Sequence, residues 1–201
     1  MFKKMVGHFM TVHEHRKRVR RMCFEVGLVF QGLTHDLTKY SPTEFLVGCR
    51  YYSGVKSPNN GERSIKGISY AWLHHKGRNR HHNEYWVDYS FRPGEKVRGM
   101  RMPKKYVVEM FIDRVAAAKT YQGEAYMDAS PLIYFERGRD HMIMHPESEK
   151  LLETLLTILA DKGEEAVLRY IRRYVIPERN ILRNRTVRRE AKKYIEREKE
   201  R

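Results

Sequence analysis

The chain has 201 residues, of which 41% are hydrophobic and 32% are charged. It is therefore too apolar for a disordered chain and too charged for a membrane protein. The net charge of +15 favours an anionic partner, such as a phosphate ester, a nucleic acid or an acidic surface.

The cysteines and the N-terminal segment bear on the compartment of the protein. Cys23 and Cys49 form neither a CxxC pair nor a disulfide framework, and each lies among apolar residues, so we expect buried free thiols. The N-terminal segment contains no uninterrupted apolar run and no small-residue cleavage site, and no other stretch has the length and apolarity of a membrane span. The expectation is a cytoplasmic protein with no membrane partner.

Two helices are predicted in the first part of the chain. Apolar residues recur with helical spacing from His8 to Val26, and Gly27 is typical of a helix stop. The segment LVFQGLTHDLTKY predicts a second helix that carries His35 and Asp36 near its C-terminal end.

A third helix and a loop are predicted next. Ser41-Pro42-Thr43-Glu44 has the form of a capping box with proline at the first helical position, which predicts a helix through about Tyr52. The following stretch, SGVKSPNNGERSIKG, is dense in Gly, Ser, Asn and Pro, and these residues are typical of a surface loop that could border a site.

The remaining segments continue the helical pattern. ISYAWLHH predicts a helix that stops at Gly77, and NRHHNEYWVDY predicts a short helical or irregular continuation. After the predicted loop FRPGEKVRGMRMP, KKYVVEMFIDRVAAAKTY predicts a helix that ends near Gly123. The segment from 130 to 144 favours no single structure, whereas 146–159 and 164–175 predict two helices joined by a turn. No hairpin and no repeat is predicted, so the fold class is all-α.

Histidines are concentrated in the first half of the chain. Ten occur in total, and eight of them lie before residue 83. Those that enter the argument are His15, His35, His74, His75, His81 and His82. Imidazole nitrogens and carboxylate oxygens together suit Zn, Mn or Fe. The clustering therefore predicts a metal site.

His15 and the dipeptide His35-Asp36 are the first predicted ligands. His15 shares a helical stripe with Val12 and Val19, so it points towards the core, either as a ligand or as a core histidine that is satisfied by a hydrogen bond. Adjacent residues on a helix project roughly 100° apart. One ion could therefore take His35 while Asp36 bridges to a second ion, the alternative being an ordinary polar helix end.

The segment LHHKGRNRHHNEYW brings four imidazoles within a short reach, with His74 and His75 separated by seven positions from His81 and His82. Arg78 and Arg80 between these pairs suit a phosphate clamp, since a guanidinium binds phosphate oxygens bidentately, although solvated arginines would also fit.

Asp113 lies on an apolar helix face. An unpaired carboxylate there is costly, so Asp113 needs a metal or a cation such as Arg114 as its partner.

In chain order these residues resemble the HD-domain superfamily of metal-dependent phosphohydrolases. HRKRV at His15 is similar to the first-helix motif of that superfamily, LTHDLTK resembles its HD motif, and IDRVAA resembles its closing aspartate motif. The resemblance covers about residues 8 to 121. It implies an HD-domain-like helical bundle in residues 1–125, followed by a C-terminal helical extension, residues 126–201, that packs on this core and ends in a basic tail.

The resemblance also implies a ligand set and a chemistry. Two divalent ions, of Fe, Mn, Zn or Mg, would be held by His15, His35, Asp36, His75, His81, His82 and Asp113. Asp36 and Lys39 would be catalytic, and Lys39, His74, Arg78 and Arg80 would bind the phosphate of a nucleotide or another small ester.

More closely, HDLTKYSPTEF and AWLHHKGRNRHHNEYW resemble an uncharacterised bacterial family within or near that superfamily. The chain has no GYP motif after the histidine pairs, which argues against a cyclic-dinucleotide phosphodiesterase. Thr11 stands where a glutamate would support a third metal ion.

Two other functions remain open at this point. A minority of the HD superfamily resembles di-iron oxygenases, which use the same His and Asp ligands. A non-catalytic nucleic-acid-binding protein is the third possibility, because the basic tail after Leu168 suits nucleic acid and the histidines could hold a structural metal.

Overall fold

The structure, a computed structural model, describes residues 2–176. In this part of the chain the fold is all-α, as predicted, with one small sheet. The helices are α1 Phe2–Glu25, α2 Val29–Thr34, α3 Pro42–Tyr51, α4 Pro58–Lys66, α5 Tyr70–Lys76, α6 Lys104–Gln122, α7 Ser130–Gly138 and α8 Pro146–Tyr170. The strands are β1 Val87–Tyr89 and β2 Val97–Gly99. Most of the predicted basic tail, residues 177–201, lies outside the described residues.

The predicted ends of several helices are confirmed by local backbone geometry. Gly27, just after α1, and Gly123, just after α6, have positive φ angles of 79° and 54°. This conformation is accessible to glycine at little cost and stops a helix. Helix α5 begins after Ser69, whose side chain accepts a hydrogen bond from the backbone N–H of Trp72, and it ends at Gly77.

The segment predicted as a surface loop contains a helix, so that prediction is wrong for residues 58–66. Helix α4 begins with Pro58 at its first turn and ends before Gly67, which has a φ of 75°. Proline at the start and a left-handed glycine after the end are both typical of helix boundaries. The buried carboxylate of Glu62 then joins α4 to α5, because it accepts hydrogen bonds from Ser69 Oγ and the Ala71 N–H.

A short hairpin also replaces predicted irregular structure. β1 and β2 pair antiparallel, with Val87 opposite Gly99. A side chain at Gly99 would collide with the backbone of Met144, so glycine permits the close approach of the chain at this point. The hairpin lies between α5 and α6 in the chain.

The C-terminal helices pack on α6 and complete the hydrophobic core. Helix α8 includes one non-helical residue, Gly163, with φ 81° and ψ 173°, which divides it close to the predicted turn. Buried residues of α1, α6, α7 and α8 form one continuous core, with α6 at its centre. In residues 2–176 no helix combines the length and apolarity that a membrane span needs.

Candidate metal centre

Asp36 lies in a bend of the chain and not on a helix. Helix α2 ends at Thr34, and His35 leaves it with φ −48° and ψ 125°. Asp36 has φ 54° and ψ 27° and is the one described residue other than glycine with a positive φ. Aspartate tolerates this left-handed conformation better than most residues. The prediction of a helical His-Asp pair is therefore wrong in its backbone, and the bend is what turns both side chains into the interior.

The Asp36 carboxylate is buried, with 2% of its surface exposed, and histidines face both of its oxygens. Oδ1 lies 3.2 Å from His75 Nε2 and 3.4 Å from His81 Nε2. Oδ2 lies 3.5 Å from His35 Nε2 and 3.9 Å from His15 Nε2. One carboxylate therefore stands between two sets of imidazoles.

The first ligand group consists of His15, His35, Asp36 and Asp113, whose donor atoms all lie within 4.8 Å of one another. Asp113 Oδ1 is 3.0 Å from His15 Nε2 and 3.5 Å from His35 Nε2. Helices α1 and α6 pack directly on each other, which brings His15 and Asp113 together. Asp113 thus contacts imidazoles, and its alternative partner Arg114 forms no ion pair with it among the described contacts.

The second group consists of Asp36, His75, His81 and His82, again with donor atoms within 4.8 Å of one another. His75 lies on α5, and the other two histidines follow in the turn before β1. Asp36 belongs to both groups. The arrangement can accommodate two cations that share one bridging carboxylate.

Buried atoms without hydrogen bonds show that the donor set fits a metal. Asp36 Oδ1, His81 Nε2 and His82 Nε2 are buried and make no hydrogen bond of suitable geometry in the described structure, although His75 and His81 approach Asp36 Oδ1 to 3.2 and 3.4 Å. Buried polar atoms nearly always have a hydrogen-bond partner. Three atoms of one ligand group that lack one therefore indicate that an additional binding partner belongs there. Imidazole and carboxylate ligands suit Zn, Mn or Fe, and a divalent ion would satisfy all three atoms.

The pKa values of His35 and Asp36 reflect the charges that surround these two side chains. Burial would lower the pKa of His35, but the surrounding carboxylates of Asp36, Asp113 and Glu109 raise it to about 10. Burial would likewise raise the pKa of Asp36, yet His35 and Lys39 hold it well below its ordinary value. The raised pKa of His35 reflects the carboxylates around it, and the lowered pKa of Asp36 keeps this carboxylate ionised, the form that binds a cation.

Two glutamates contact the Nδ1 atoms of three predicted histidine ligands, whose Nε2 atoms face Asp36. Glu109 Oε1 lies 3.0 Å from His35 Nδ1 and 3.2 Å from His81 Nδ1. Glu44 Oε2 lies 2.8 Å from His75 Nδ1. Carboxylates in this position fix the tautomer of a metal-binding histidine and direct its other nitrogen to the metal.

The sequence model of a family of unknown function, DUF5662, matches residues 4–158. The chain belongs to this family. No curated protein and no solved structure matches the chain. Both ligand groups of this DUF5662 protein fall inside the matched residues.

A cavity of about 830 Å³ opens onto the ligand groups of the DUF5662 protein. Ligand residues His15, Asp36, His75, His82 and Asp113 form part of its wall. Cationic side chains also line it, namely Lys39, Lys56, Arg114 and Arg137. Lys39 Nζ is 3.4 Å from Asp36 Oδ2, and among the described contacts Lys39 is the one of these four cations that forms an ion pair with a ligand residue.

Three predicted substrate contacts do not reach this cavity. Arg78 and Arg80 are exposed, and their guanidinium groups donate to the His74 carbonyl and the Tyr106 hydroxyl. Helix α5 ends at Lys76, and the turn that follows carries both arginines to the surface while it carries His81 inwards. His74 faces Glu44 Oε1 at 2.7 Å. None of the three is part of the wall formed by the described residues.

Sequence reasoning missed Glu44, Glu109 and the cavity cations Arg114 and Arg137. Glu44 was predicted to cap α3, but Ser41 makes no side-chain capping bond and the Glu44 carboxylate turns to the histidines of α5. Glu109 stands one helical turn before Asp113 in an otherwise apolar run. That spacing places both carboxylates on one helix face, and it is the signal that could have identified Glu109.

Proposed function

We propose that the protein is a metal-dependent phosphohydrolase with a dinuclear His/Asp centre of the HD-domain type. The observation that supports this is the position of Asp36, which belongs to two ligand groups at once on the wall of a cavity that also carries four cationic side chains. The order of the ligands along the chain, which resembles that of the HD superfamily, supports it independently.

The ligand residues have distinct tasks in this proposal. His15, His35 and Asp113 would hold one ion, and His75, His81 and His82 the other, with Asp36 between them. Two divalent ions bound there supply an activated water as nucleophile and neutralise charge on the phosphate oxygens.

Lys39 binds the substrate phosphate in the same proposal. Burial lowers the pKa of its ammonium, but the carboxylates of Asp36 and Asp113 outweigh this effect and raise the pKa, so Lys39 is cationic at neutral pH. A fixed ammonium beside the bridging carboxylate can stabilise negative charge that develops on the phosphate in the transition state.

The cavity defines the size of the substrate. A volume of about 830 Å³ is within the range of sites for small molecules and cofactors. Its four cations favour an anionic ligand, and the net charge of +15 favours the approach of one. A nucleotide or another small phosphate ester meets both conditions.

The composition of the ligand set favours one second candidate, a di-iron oxygenase. Five imidazoles and two carboxylates make up the two groups, and imidazole is a suitable ligand for iron. Anaerobic loading with Fe²⁺ followed by oxygen distinguishes the candidates. An oxygenase gives a change in visible absorbance, and a hydrolase cleaves phosphate esters without oxygen.

The test combines elemental analysis with a screen of phosphate esters on the purified full-length protein and on Asp36→Asn. Asparagine retains the tolerance for a left-handed backbone, so the substitution removes charge and leaves the bend in place. Asp161→Asn, at an exposed position of α8, is the matched control. We expect about two metal ions per chain in the wild type and in the control.

In Asp36→Asn we expect less than half of that metal content and hydrolysis at background level. The proposal is overturned if the wild-type protein, reconstituted with Mn²⁺, Fe²⁺, Zn²⁺ or Mg²⁺, binds less than about one ion per chain, because two-metal chemistry needs both. It is also overturned if Asp36→Asn hydrolyses phosphate esters as fast as Asp161→Asn does.

A further inference from the structure

Arg114 lies in the wall of the cavity, next to the ligand Asp113 on α6. Its guanidinium carbon is 5.9 Å from the centre of the Phe135 ring, and its Nη2 donates to the thioether sulfur of Met142 at 3.4 Å. These contacts hold the side chain in the space between α6 and α7. The guanidinium is partly buried, and it lies on the surface that a cavity ligand would meet.

Arg114 has no carboxylate partner within 4.0 Å among residues 2–176. The neighbouring carboxylate of Asp113 is engaged with His15 and His35. A thioether is a weak acceptor, whereas a guanidinium carries five N–H donors. A cation that is removed from water without a counter-charge is destabilising, so proteins usually pair it with an anion.

Three of the four carboxylates in the cavity wall contact histidines. Asp36 and Asp113 belong to the ligand groups, and Glu44 contacts the histidines of α5. Glu84 is the remaining carboxylate of the wall, and it forms no ion pair with Arg114. None of these four carboxylates forms an ion pair with Arg114, and Arg137 of α7 adds a second guanidinium to the same wall.

We propose that Arg114 binds a second anionic group of the substrate, at a point in the cavity separate from the two ligand groups. This inference rests on the proposed function and defines its substrate class: a small molecule with one phosphate at the metal centre and another phosphate or a carboxylate at Arg114. The planar guanidinium suits either anion, since it binds both bidentately.

Binding of unreactive phosphonates tests the proposal without hydrolysis. Calorimetry with the purified protein compares alkylphosphonates, ω-phosphonoalkanoates and α,ω-bisphosphonates with chains from ethane to pentane. At the chain length that matches the site, the second anionic group should tighten binding to the wild type about tenfold or more, as expected for charge-assisted hydrogen bonds. The phosphonoalkanoates and the bisphosphonates show which second anion is preferred.

Arg114→Met should remove this gain and leave the affinity for the simple alkylphosphonates unchanged. Arg80→Met is the matched control, because Arg80 is exposed and outside the cavity wall, and it should retain the full gain. If Arg114→Met melts below the assay temperature, Arg114→Lys takes its place. Lysine keeps the charge but lacks the planar fork, so the gain should fall at least about threefold.

The proposal is overturned if no chain length gives a gain in the wild type, or if the gain persists in the Arg114 variants. Because binding is measured on unreactive ligands, a protein that shows the Arg114-dependent gain but hydrolyses no ester would contradict the proposed function alone. A protein that hydrolyses esters but shows no such gain would contradict this inference alone.

Discussion

At the scale of single residues, Glu109 contacts one histidine of each ligand group, although it is not itself a predicted ligand. Its Oε1 faces His35, which belongs to the first ligand group, and His81, which belongs to the second. Burial would raise the pKa of Glu109, but the hydrogen bonds from His35 and His81 lower it. One ionised carboxylate thus orients an imidazole in each group.

Glu109→Gln should therefore weaken metal binding and leave the fold intact. The amide keeps the shape of the side chain but loses the charge that holds both rings. Loss of such an outer carboxylate lowers metal affinity about 10–100-fold. Competition with a chromophoric chelator measures this affinity directly.

Glu62→Gln is the control for that experiment, since Glu62 is also fully buried but contacts Lys66, Ser69 and Ala71 in place of histidines. It should lose stability and retain wild-type metal affinity per folded molecule. Equal metal affinities in the two variants would contradict the role assigned to Glu109.

The sequence allows the predicted ligands to be selected, but not the residues that support them. His35 and Asp36 were recognisable because histidines cluster in the first half of the chain, and Asp113 because a carboxylate on an apolar helix face needs a partner; their order along the chain also resembles the HD superfamily. Glu44 fitted a capping motif equally well, and only the packing of α3 against α5 decides its partner. Arg78 is adjacent in sequence to the histidines, but the turn after α5 reverses its direction.

At the scale of the elements, long helices were predicted well because a repeated apolar pattern determines them. Helices α1, α6 and the two parts of α8 each bury a stripe or more of apolar residues. Helix α4 has nine residues, of which only Pro58 and Glu62 are buried, so its polar sequence resembled a loop. The strands have three residues each, too few for an alternating pattern to appear.

Glu164 joins three helices of the core. Its Oε1 is 2.5 Å from Arg21 Nη2 of α1, and its Oε2 accepts from Lys119 of α6. Burial alone would raise the pKa of Glu164, but the hydrogen bond from Lys119 and the charge of Arg21 outweigh it and lower the pKa below 4.5. A lowered pKa means that the folded state favours the ionised carboxylate.

Glu164→Gln should destabilise the protein by about 1 kcal/mol at neutral pH, a value reduced for the partial solvent exposure of the pair. The stabilisation by the ionised Glu164 is complete above the unfolded-state pKa and is lost as the pH falls through the folded-state pKa. Urea unfolding of the wild type and the variant should therefore give free energies that converge in acid.

Glu165→Gln is the neighbouring control, because Glu165 is exposed and, among residues 2–176, pairs only with Arg169 on the same helix. Its effect on the free energy of unfolding should be smaller than that of Glu164→Gln at neutral pH. A difference between wild type and Glu164→Gln that is independent of pH would show that the ion pairs do not stabilise the fold.

At the scale of the whole molecule, the two ligand groups draw on most of the fold. His15 comes from α1, Asp36 from the bend after α2, His75 from α5, His81 and His82 from the following turn, and Asp113 from α6. In the unfolded chain the four segments that carry them, around residues 15, 36, 75–82 and 113, are not held together. Ions bound to both groups would therefore link separate elements in the native state only.

Metal removal should accordingly lower the thermal stability of the protein. A ligand that binds only the folded state adds about 4 kcal/mol when its free concentration is about a thousand times its Kd. For a chain of this size, that stabilisation corresponds to a rise in Tm of roughly 10 °C. Calorimetry of the protein before and after dialysis against a chelator, and again after metal is restored, measures the shift.

The same scan on Asp36→Asn separates this effect from any general action of the chelator. Because Asp36 is shared by both groups, its loss should remove most of the metal-dependent shift, whereas Asp161→Asn should keep all of it. An equal shift in the two variants would place the stabilising ion elsewhere in the chain. Glu109→Gln should keep only part of the metal-dependent shift at the same metal concentration, because a Kd that is about 10–100-fold higher lowers the stabilisation linked to metal binding by about 1.4–2.7 kcal/mol.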